Sequence, residues 1–294
     1  MKCPFCQTLE NKFLFSAKST HGARAVSEEE FTFCQCFNCG SVFPRVAVGE
    51  KYYSRYYSPE YYRPSSINYL NVFYQKINLT FLKLITKVVL KKGDVLDFGC
   101  GQGDFLLSLG NSYRKFAVEI NSRTVNILKK KDLSLTIVND INDFKKSQKF
   151  DLVTAFHVLE HLPGPTVTVK KVTKKIKKGG YLIIATPNSN SLGFKTTGKK
   201  WFHLDAPRHL LIFNSSELRK ILINEGFTHV LTVGGLIEYP LDLFWSWFNL
   251  FKTSCTLINF FLTLLIFPVS VMTKLFLFFL PEQAETFMII CRKN

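Results

Sequence analysis

VLDFGCGQGDF, residues 95–105, places three glycines at every second position directly after an apolar run that carries one aspartate. Val95, Leu96 and Phe98 have the character of a short buried strand. Gly99, Gly101 and Gly103 then make a turn whose backbone can approach a ligand closely, because no Cβ intervenes. Asp104 followed by Phe105-Leu106-Leu107 reads as the start of a helix aimed at that ligand. A dinucleotide fingerprint has two residues before its third glycine; this turn has one, which suits a nucleoside ligand without a pyrophosphate.

Outward from this turn, strand-like and helix-like segments alternate from Asp94 onward, the pattern of a parallel sheet covered on both faces. The strands are predicted at 95–99, 115–120, 135–139, 150–156, 181–187, 228–234 and 285–291. Helices are predicted at 122–131, 165–177 and 215–225, with an amphipathic helix at 71–90. Glu119 ends the second strand, where an acidic group in nucleotide-binding α/β folds accepts from ribose hydroxyls. At the end of the third strand, Asp140 is placed to accept from an adenine amino group and Ile141 to pack on the base. The fourth strand leads into FDLVTAFHVLEHLPGP (150–165). Taken alone, each carboxylate reads more simply as a surface or capping group. Together they mark the C-terminal ends of consecutive strands, where open α/β sheets bind ligands.

These motifs carry a resemblance. From Gly93 to Arg292 the chain resembles class I S-adenosylmethionine-dependent methyltransferases, through VLDFGCGQGDF, AVEIN (117–121), NDINDF (139–144), FDLVTAFHVLEHLPGP and VTKKIKKGGYLIIATPN (172–188). WFHLDAPRHLLIFNSSELRKILINEGF (201–227) is similar to the branch holding ubiquinone-biosynthesis O-methyltransferases and methyltransferases of sugar and surface-polysaccharide pathways. The resemblance implies an α/β, Rossmann-like seven-stranded sheet whose last strand, 285–291, runs antiparallel beside the sixth. It further implies S-adenosylmethionine as cofactor, with Asp97, Gly99, Gly101, Gln102 and Gly103 shaping its pocket, Glu119 on the ribose, and Asp140 and Ile141 on the adenine.

Methyl transfer is an in-line displacement from a sulfonium carbon with a neutral leaving group, so alignment supplies much of the rate. A hydroxyl acceptor needs a base, and histidine titrates in the right range. His157 and His161 follow strand four, and His209 lies in DAPRHLLIF (205–213); His203 is a weaker fourth. Each of these, taken singly, is also explained as a supporting or helix-terminal histidine. Arg208 would pair with an acidic acceptor group or brace Glu160.

Five of the eight cysteines fall in residues 1–45. Cys3-x-x-Cys6 and Cys36-x-x-Cys39 have zinc-ribbon knuckle spacing, and two such pairs complete a tetrahedron with no open position, so the expected Zn2+ is structural. Cys34 is a surplus thiol that could take the place of Cys36. The pairs also argue for a reducing cytoplasm, and MKCPFCQ has no apolar signal-peptide segment. Residues 46–90 form a tyrosine-rich link, EKYYSRYYSPEYYRPSS, and the amphipathic helix. The methyltransferase domain is expected at 91–294. The CxxC module with its tyrosines resembles the N-terminal module of sugar-pathway methyltransferases, where it helps cover the acceptor; packing at a domain interface explains the tyrosines equally well.

Lys and Arg number 38 against 22 Asp and Glu, a net charge of +16 that favours anionic partners. No basic–aromatic ladder supports nucleic acid among them. The insertion 236–281 is very apolar, and 253–273 carries no charge. If 285–291 is a strand of a cytoplasmic sheet, an odd number of membrane crossings is excluded. A hairpin dipping into one leaflet or two interfacial helices is expected, against the alternative of a helical lid packed on the protein or a second subunit. The expectation is a cytoplasmic, peripherally membrane-associated enzyme that methylates a saccharide, lipid-linked or nucleotide-activated. The rivals are a methyltransferase for a hydrophobic small molecule such as a quinone precursor, and a non-catalytic cofactor-binding zinc protein. The sequence leaves the oligomeric state open.

Overall fold

The computed structural model describes residues 1–18, 29–49, 51–57, 69–235 and 239–294. Part of the tyrosine-rich link, residues 58–68, lies outside them. Three strands, β1 (Asn11–Lys18), β2 (Glu30–Cys36) and β3 (Val42–Pro44), form an antiparallel N-terminal sheet in sequence order. Two helices follow, α1 (Tyr52–Tyr56) and α2 (Tyr69–Val89).

The main sheet begins with β4 (Gly93–Phe98), α3 (Asp104–Ser108), β5 (Tyr113–Val118), α4 (Ser122–Lys131) and β6 (Thr136–Val138). It continues through β7 (Phe150–Phe156), α5 (Pro165–Lys174), β8 (Ile176–Pro187), α6 (Leu192–Thr197), α7 (Ser215–Asn224) and β9 (Phe227–Gly234). The chain ends with α8 (Asp242–Phe251), α9 (Thr256–Leu277) and β10 (Thr286–Lys293). The seven strands lie in the order β6-β5-β4-β7-β8-β10-β9. The pairs among β4 to β8 are parallel, while β10 pairs antiparallel with both β8 and β9. This is the seven-stranded methyltransferase sheet the motifs imply, with the last strand slotted beside β9.

Side-chain caps set several helix starts. Asn121 caps α4 by accepting from the Thr124 amide, and Asn214 caps α7 by accepting from Ser216. Most boundaries shift by one or two residues, and β5 ends at Val118, one short of Glu119; the largest shift is that the helix predicted to reach Lys177 stops at Lys174, and β8 already starts at Ile176. Ile176 pairs with Phe150, and a bulge before the Leu152–Tyr181 pair absorbs the extra residues, so tertiary pairing overrides the lysine-rich helical pattern.

The N-terminal sheet shares its core with the main domain. Phe5 meets Phe213 edge-on at 5.1 Å, the Thr166 hydroxyl donates to the Phe5 carbonyl, and Val42 forms a β-bridge with Ile212. On the other face of that sheet, Ala17, Phe31 and Phe33 pack with Tyr52, Tyr56, Phe194 and Trp201.

The apolar insertion forms two packed helices, α8 and α9, and α9 contains Pro268. Their base is held by a buried charge set: the Lys274 ammonium bonds to the Asp242 carboxylate and the Tyr239 carbonyl, and Asp242 also lies 2.9 Å from His203 Nε2. Removing one member strands a buried charge. Lys274→Met should therefore lower stability by about 3 kcal/mol. Pairing it with Asp242→Asn should recover part of that loss in thermal denaturation; simple addition of the two costs would contradict the coupling.

Candidate active site

One cavity of about 560 Å³ opens at the C-terminal ends of β4, β5 and β7. Its first wall is the glycine turn, with Gly99, Cys100, Gly101 and Gln102 next to Glu119, Ile120 and Thr124. Gly99 and Gly101 both have positive φ, 75° and 51°. Their reasons differ. A Cβ on Gly99 would stand 2.5 Å from Val158 Cγ2, whereas one on Gly101 would meet no protein atom within 4 Å. Gly99 is required by packing, and Gly101 leaves backbone open to a ligand. Gly103 has φ 74° and occupies the N-cap of α3 against Leu128.

The Glu119 carboxylate ties this wall together, accepting from the Gly101 amide at 2.9 Å and the Asn121 amide at 2.8 Å. Burial pushes its carboxyl up from the ordinary range against the pull of these amides. Asp97 lies beneath the turn, buried, accepting from the Thr154 hydroxyl at 2.7 Å. Burial, with the Glu119 charge adding to it and Thr154 opposing, pushes Asp97 up to about 7. It supports the loop without lining the cavity.

Asp140 and Ile141 also stand away from the lining. The Asp140 side chain accepts from the Asn142 amide at 2.8 Å and caps the 3-10 turn Ile141–Asp143. Ile141 is 3% exposed and belongs to the hydrophobic core. On this side of the cavity, Ile120 and Thr124 occupy the lining.

The opposite wall is aromatic and titratable: Tyr53, Tyr57, His157, His161, His203, His209, Asp205, Arg208 and Tyr239. The three histidines expected near the acceptor thus share one surface. Glu160 fixes the first of them, His157. It is fully buried, with Oε1 3.1 Å from His157 Nδ1, and Oε2 accepting from the Thr186 hydroxyl at 3.1 Å. Burial alone would raise its carboxyl, but the His157 hydrogen bond, foremost among the surrounding imidazoles, holds it down to about 2. An ionised Glu160 accepts a proton-bearing His157 Nδ1, leaving Nε2 of that ring as its acceptor nitrogen. His157 has φ 54°, an uncommon conformation for a non-glycine residue at a strand end.

His161 Nδ1 lies 2.9 Å from the Tyr57 hydroxyl and 3.1 Å from the Arg208 carbonyl. A carbonyl only accepts, so Nδ1 carries the hydrogen and Nε2 the lone pair. His209 Nδ1 donates in the same way to the His203 carbonyl at 2.8 Å. Burial, then the His161 charge, pushes His209 down to about 3, so it stays neutral at physiological pH and is a poor proton acceptor. Arg208 is buried and pairs with Asp205, its Nε 3.1 Å from both carboxylate oxygens.

Tyr239 and Asp205 join this wall without having been singled out from the sequence. Tyr239 lies at the entry to the apolar insertion and packs edge-on to His157 at 5.3 Å and His203 at 5.0 Å.

A second constellation lies in the N-terminal module. The sulfurs of Cys3, Cys6, Cys36 and Cys39 all fall within 4.8 Å of one another. Cys3 Sγ is 3.7 Å from Cys39 Sγ, and Cys6 Sγ is 3.4 Å from Cys36 Sγ. A tetrahedral ion with bonds of ~2.3 Å sets its sulfurs about 3.8 Å apart, so this donor set fits zinc. Hydrogen bonding from Cys3, against burial, lowers Cys39 to about 5, while the same contact and burial push Cys3 far up. Cys34 stands outside the cluster, its sulfur accepting from Arg45 Nε at 3.1 Å.

Comparison with known proteins agrees with this architecture. A family model described as a methyltransferase domain matches residues 73–232, more than half of the chain. A ubiquinone biosynthesis O-methyltransferase from Coxiella burnetii is 32% identical over 179 residues, covering 56% of this chain and 76% of that protein. A mitochondrial ubiquinone biosynthesis O-methyltransferase from Candida albicans is 32% identical over 115 residues, and the match spans 35% of each chain. Among solved structures, magnesium protoporphyrin IX methyltransferase from Synechocystis, with bound S-adenosylhomocysteine, superposes with a TM-score of 0.50. That match covers 80% of this chain and 92% of that one at 14% identity, a likeness of fold alone. With its glycine turn, Glu119 and a seven-stranded sheet in the order β6-β5-β4-β7-β8-β10-β9, the chain belongs to the methyltransferase-domain family of class I, S-adenosylmethionine-dependent enzymes.

Proposed function

We propose that this protein transfers a methyl group from S-adenosylmethionine to a hydroxyl of a saccharide or lipid-linked saccharide at the cytoplasmic face of a membrane. The observation that carries the reading is the two-walled cavity. Gly101 and Glu119 offer an open backbone and a carboxylate to a nucleoside on one side. Tyr53, Tyr57 and Tyr239, with the Asp205–Arg208 pair and the histidines, face it on the other. Aromatic faces stack on sugar rings, and charged pairs hydrogen-bond to hydroxyls, so this wall suits a polyhydroxylated acceptor.

S-adenosylmethionine supplies an activated methyl carbon, and Glu119 and the glycine turn would hold its nucleoside. The acceptor hydroxyl must lose a proton as its oxygen attacks, and a histidine of the far wall takes it. His157 is the best oriented of the three, because the Glu160 carboxylate fixes its Nδ1 and stabilises the charge the ring acquires. His161 is the second candidate, and the neutral, buried His209 positions the wall.

The likeness to ubiquinone O-methyltransferases favours a second reading, a hydrophobic small-molecule acceptor such as a quinone precursor. Radiolabelled methyl transfer into fractionated lipids, sugar nucleotides and a hydroxylated quinone precursor separates the two. Label confined to the quinone precursor overturns the saccharide reading.

With an acceptor in hand, His157→Gln should lower kcat by about 10²–10⁴-fold while S-adenosylhomocysteine affinity, read by calorimetry, stays within a factor of a few. Unchanged kcat would remove His157 as the base.

We also propose that Cys3, Cys6, Cys36 and Cys39 hold one structural zinc ion. Purified protein should contain about one zinc per chain. Because the module shares its core with the main domain, stripping the metal should lower the melting temperature of the whole chain in one transition. A metal-free preparation with the same melting temperature would rule the zinc out.

A further inference from the structure

Helix α9 is inside out relative to a helix of a water-soluble protein. Its polar side chains Asn259, Thr263, Ser270, Thr273 and Lys274 are half-buried or buried on the stripe that faces the protein. Every exposed residue of the helix after Thr256 is apolar, including Leu257, Ile258, Phe260, Phe261, Leu264 and Leu265 in its first half. The apolar run continues through Phe267, Met272, Leu275 and Phe276. A helix that must face water puts its polar side out. Here the outward medium has to be apolar, and the exposed stripe runs along a helix of 22 residues, about 33 Å at 1.5 Å per residue.

A second observation says what that medium is. Where α8 passes into α9, a cavity of about 500 Å³ is lined by Lys18, Lys199, Lys200 and Lys252, with Glu30, Ser16 and Asn249. Lys252 follows directly on Phe251, itself exposed, so cationic and apolar surface adjoin on one flank. Apolar area bordered by lysines is the chemistry of an interface between acyl chains and anionic headgroups. The arrangement also fits the return of the chain to the sheet through β10, since a helix lying in one leaflet needs no crossing.

We propose that the outward face of α9 lies in one leaflet of an anionic lipid bilayer and that the lysine cavity at its end receives a lipid phosphate. The proposal deepens the membrane-face reading above and is independent of which acceptor is methylated. It brings the acceptor wall near the bilayer, because Lys274 of α9 holds Asp242 and Tyr239, and through Asp242 also His203; Tyr239 and His203 line the active-site cavity.

The test is sedimentation of the full chain with vesicles of phosphatidylcholine alone or mixed with phosphatidylglycerol. The wild type should pellet with the mixed vesicles. Lys199→Ala/Lys200→Ala/Lys252→Ala should weaken that binding on the order of 100-fold, a factor of about five per lysine, and abolish the preference for the anionic lipid. Phe260→Ser/Phe261→Ser/Leu264→Ser should stay in solution with either vesicle. A fluorophore on the exposed Cys255 should report a less polar environment when mixed vesicles are added to the wild type. Vesicle binding that survives the serine variant overturns the proposal. So does a wild type that ignores vesicles and sediments as a dimer which the serine variant dissociates, since α9 would then be covered by a second copy. Protection of the lysines from acylation by inorganic phosphate but not by vesicles overturns it as well. Calorimetric titration with S-adenosylhomocysteine on each preparation shows that the variants are folded. Absence of that heat in the wild type would sink the methyltransferase reading and leave the vesicle result standing.

Discussion

The carboxylate of Glu160 sits fully buried at the point where three distant parts of the chain meet. Its side chain joins His157, just past the end of β7, to Thr186 in β8. Its backbone carbonyl accepts from the amides of Leu210 and Leu211, which fixes the segment bearing Arg208 and His209. One residue further, Ile212 bridges Val42 and thereby docks the cysteine module. A buried carboxylate is tolerated only when its charge is balanced and its lone pairs are used. His157 Nδ1 and the Thr186 hydroxyl each take one of its oxygens, and the imidazoles of His161 and His209 lie beside it. The same contacts that make Glu160 tolerable therefore orient His157 and hold the segment bearing Arg208 and His209, while His161 and His209 take their orientation from the Arg208 and His203 carbonyls.

The main sheet was legible because its signals are local. Apolar strands, alternate glycines and an acidic strand end at Glu119 are set by neighbours within a few residues, and the structure keeps all of them in register. Lys175 and Ile176 show the limit: a helical charge pattern yields to pairing with Phe150, a partner far away in sequence. The Cys36-x-x-Cys39 spacing named the second knuckle, and those two sulfurs gather with Cys3 and Cys6 while Cys34 turns to Arg45.

Half of the candidate site was readable for the same reason, and half was not. Gly99, Gly101, Gln102 and Glu119 line the cavity where their motifs imply. Asp140 and Ile141 sit in the matching segment, but one side chain closes a turn and the other enters the core, a distinction spacing alone does not draw. Tyr239, Asp205 and the Lys274–Asp242–His203 set arise from tertiary packing. In the apolar insertion, Asn259, Thr263, Ser270 and Lys274 recur at helical spacing, and it is the packing of α9 that turns this stripe inward.

The two walls of the cavity also differ in how the chain encodes them. The nucleoside side comes from one continuous stretch, Gly99 to Thr124, whereas the acceptor side is gathered from α1, the segments after β7 and α6, and the entry to α8. Changes in those scattered pieces can redraw the shape offered to the acceptor while the donor grip stays as it is. A scaffold divided in this way can acquire new acceptors by drift in the segments on either side of the glycine turn, keeping a single methyl donor throughout.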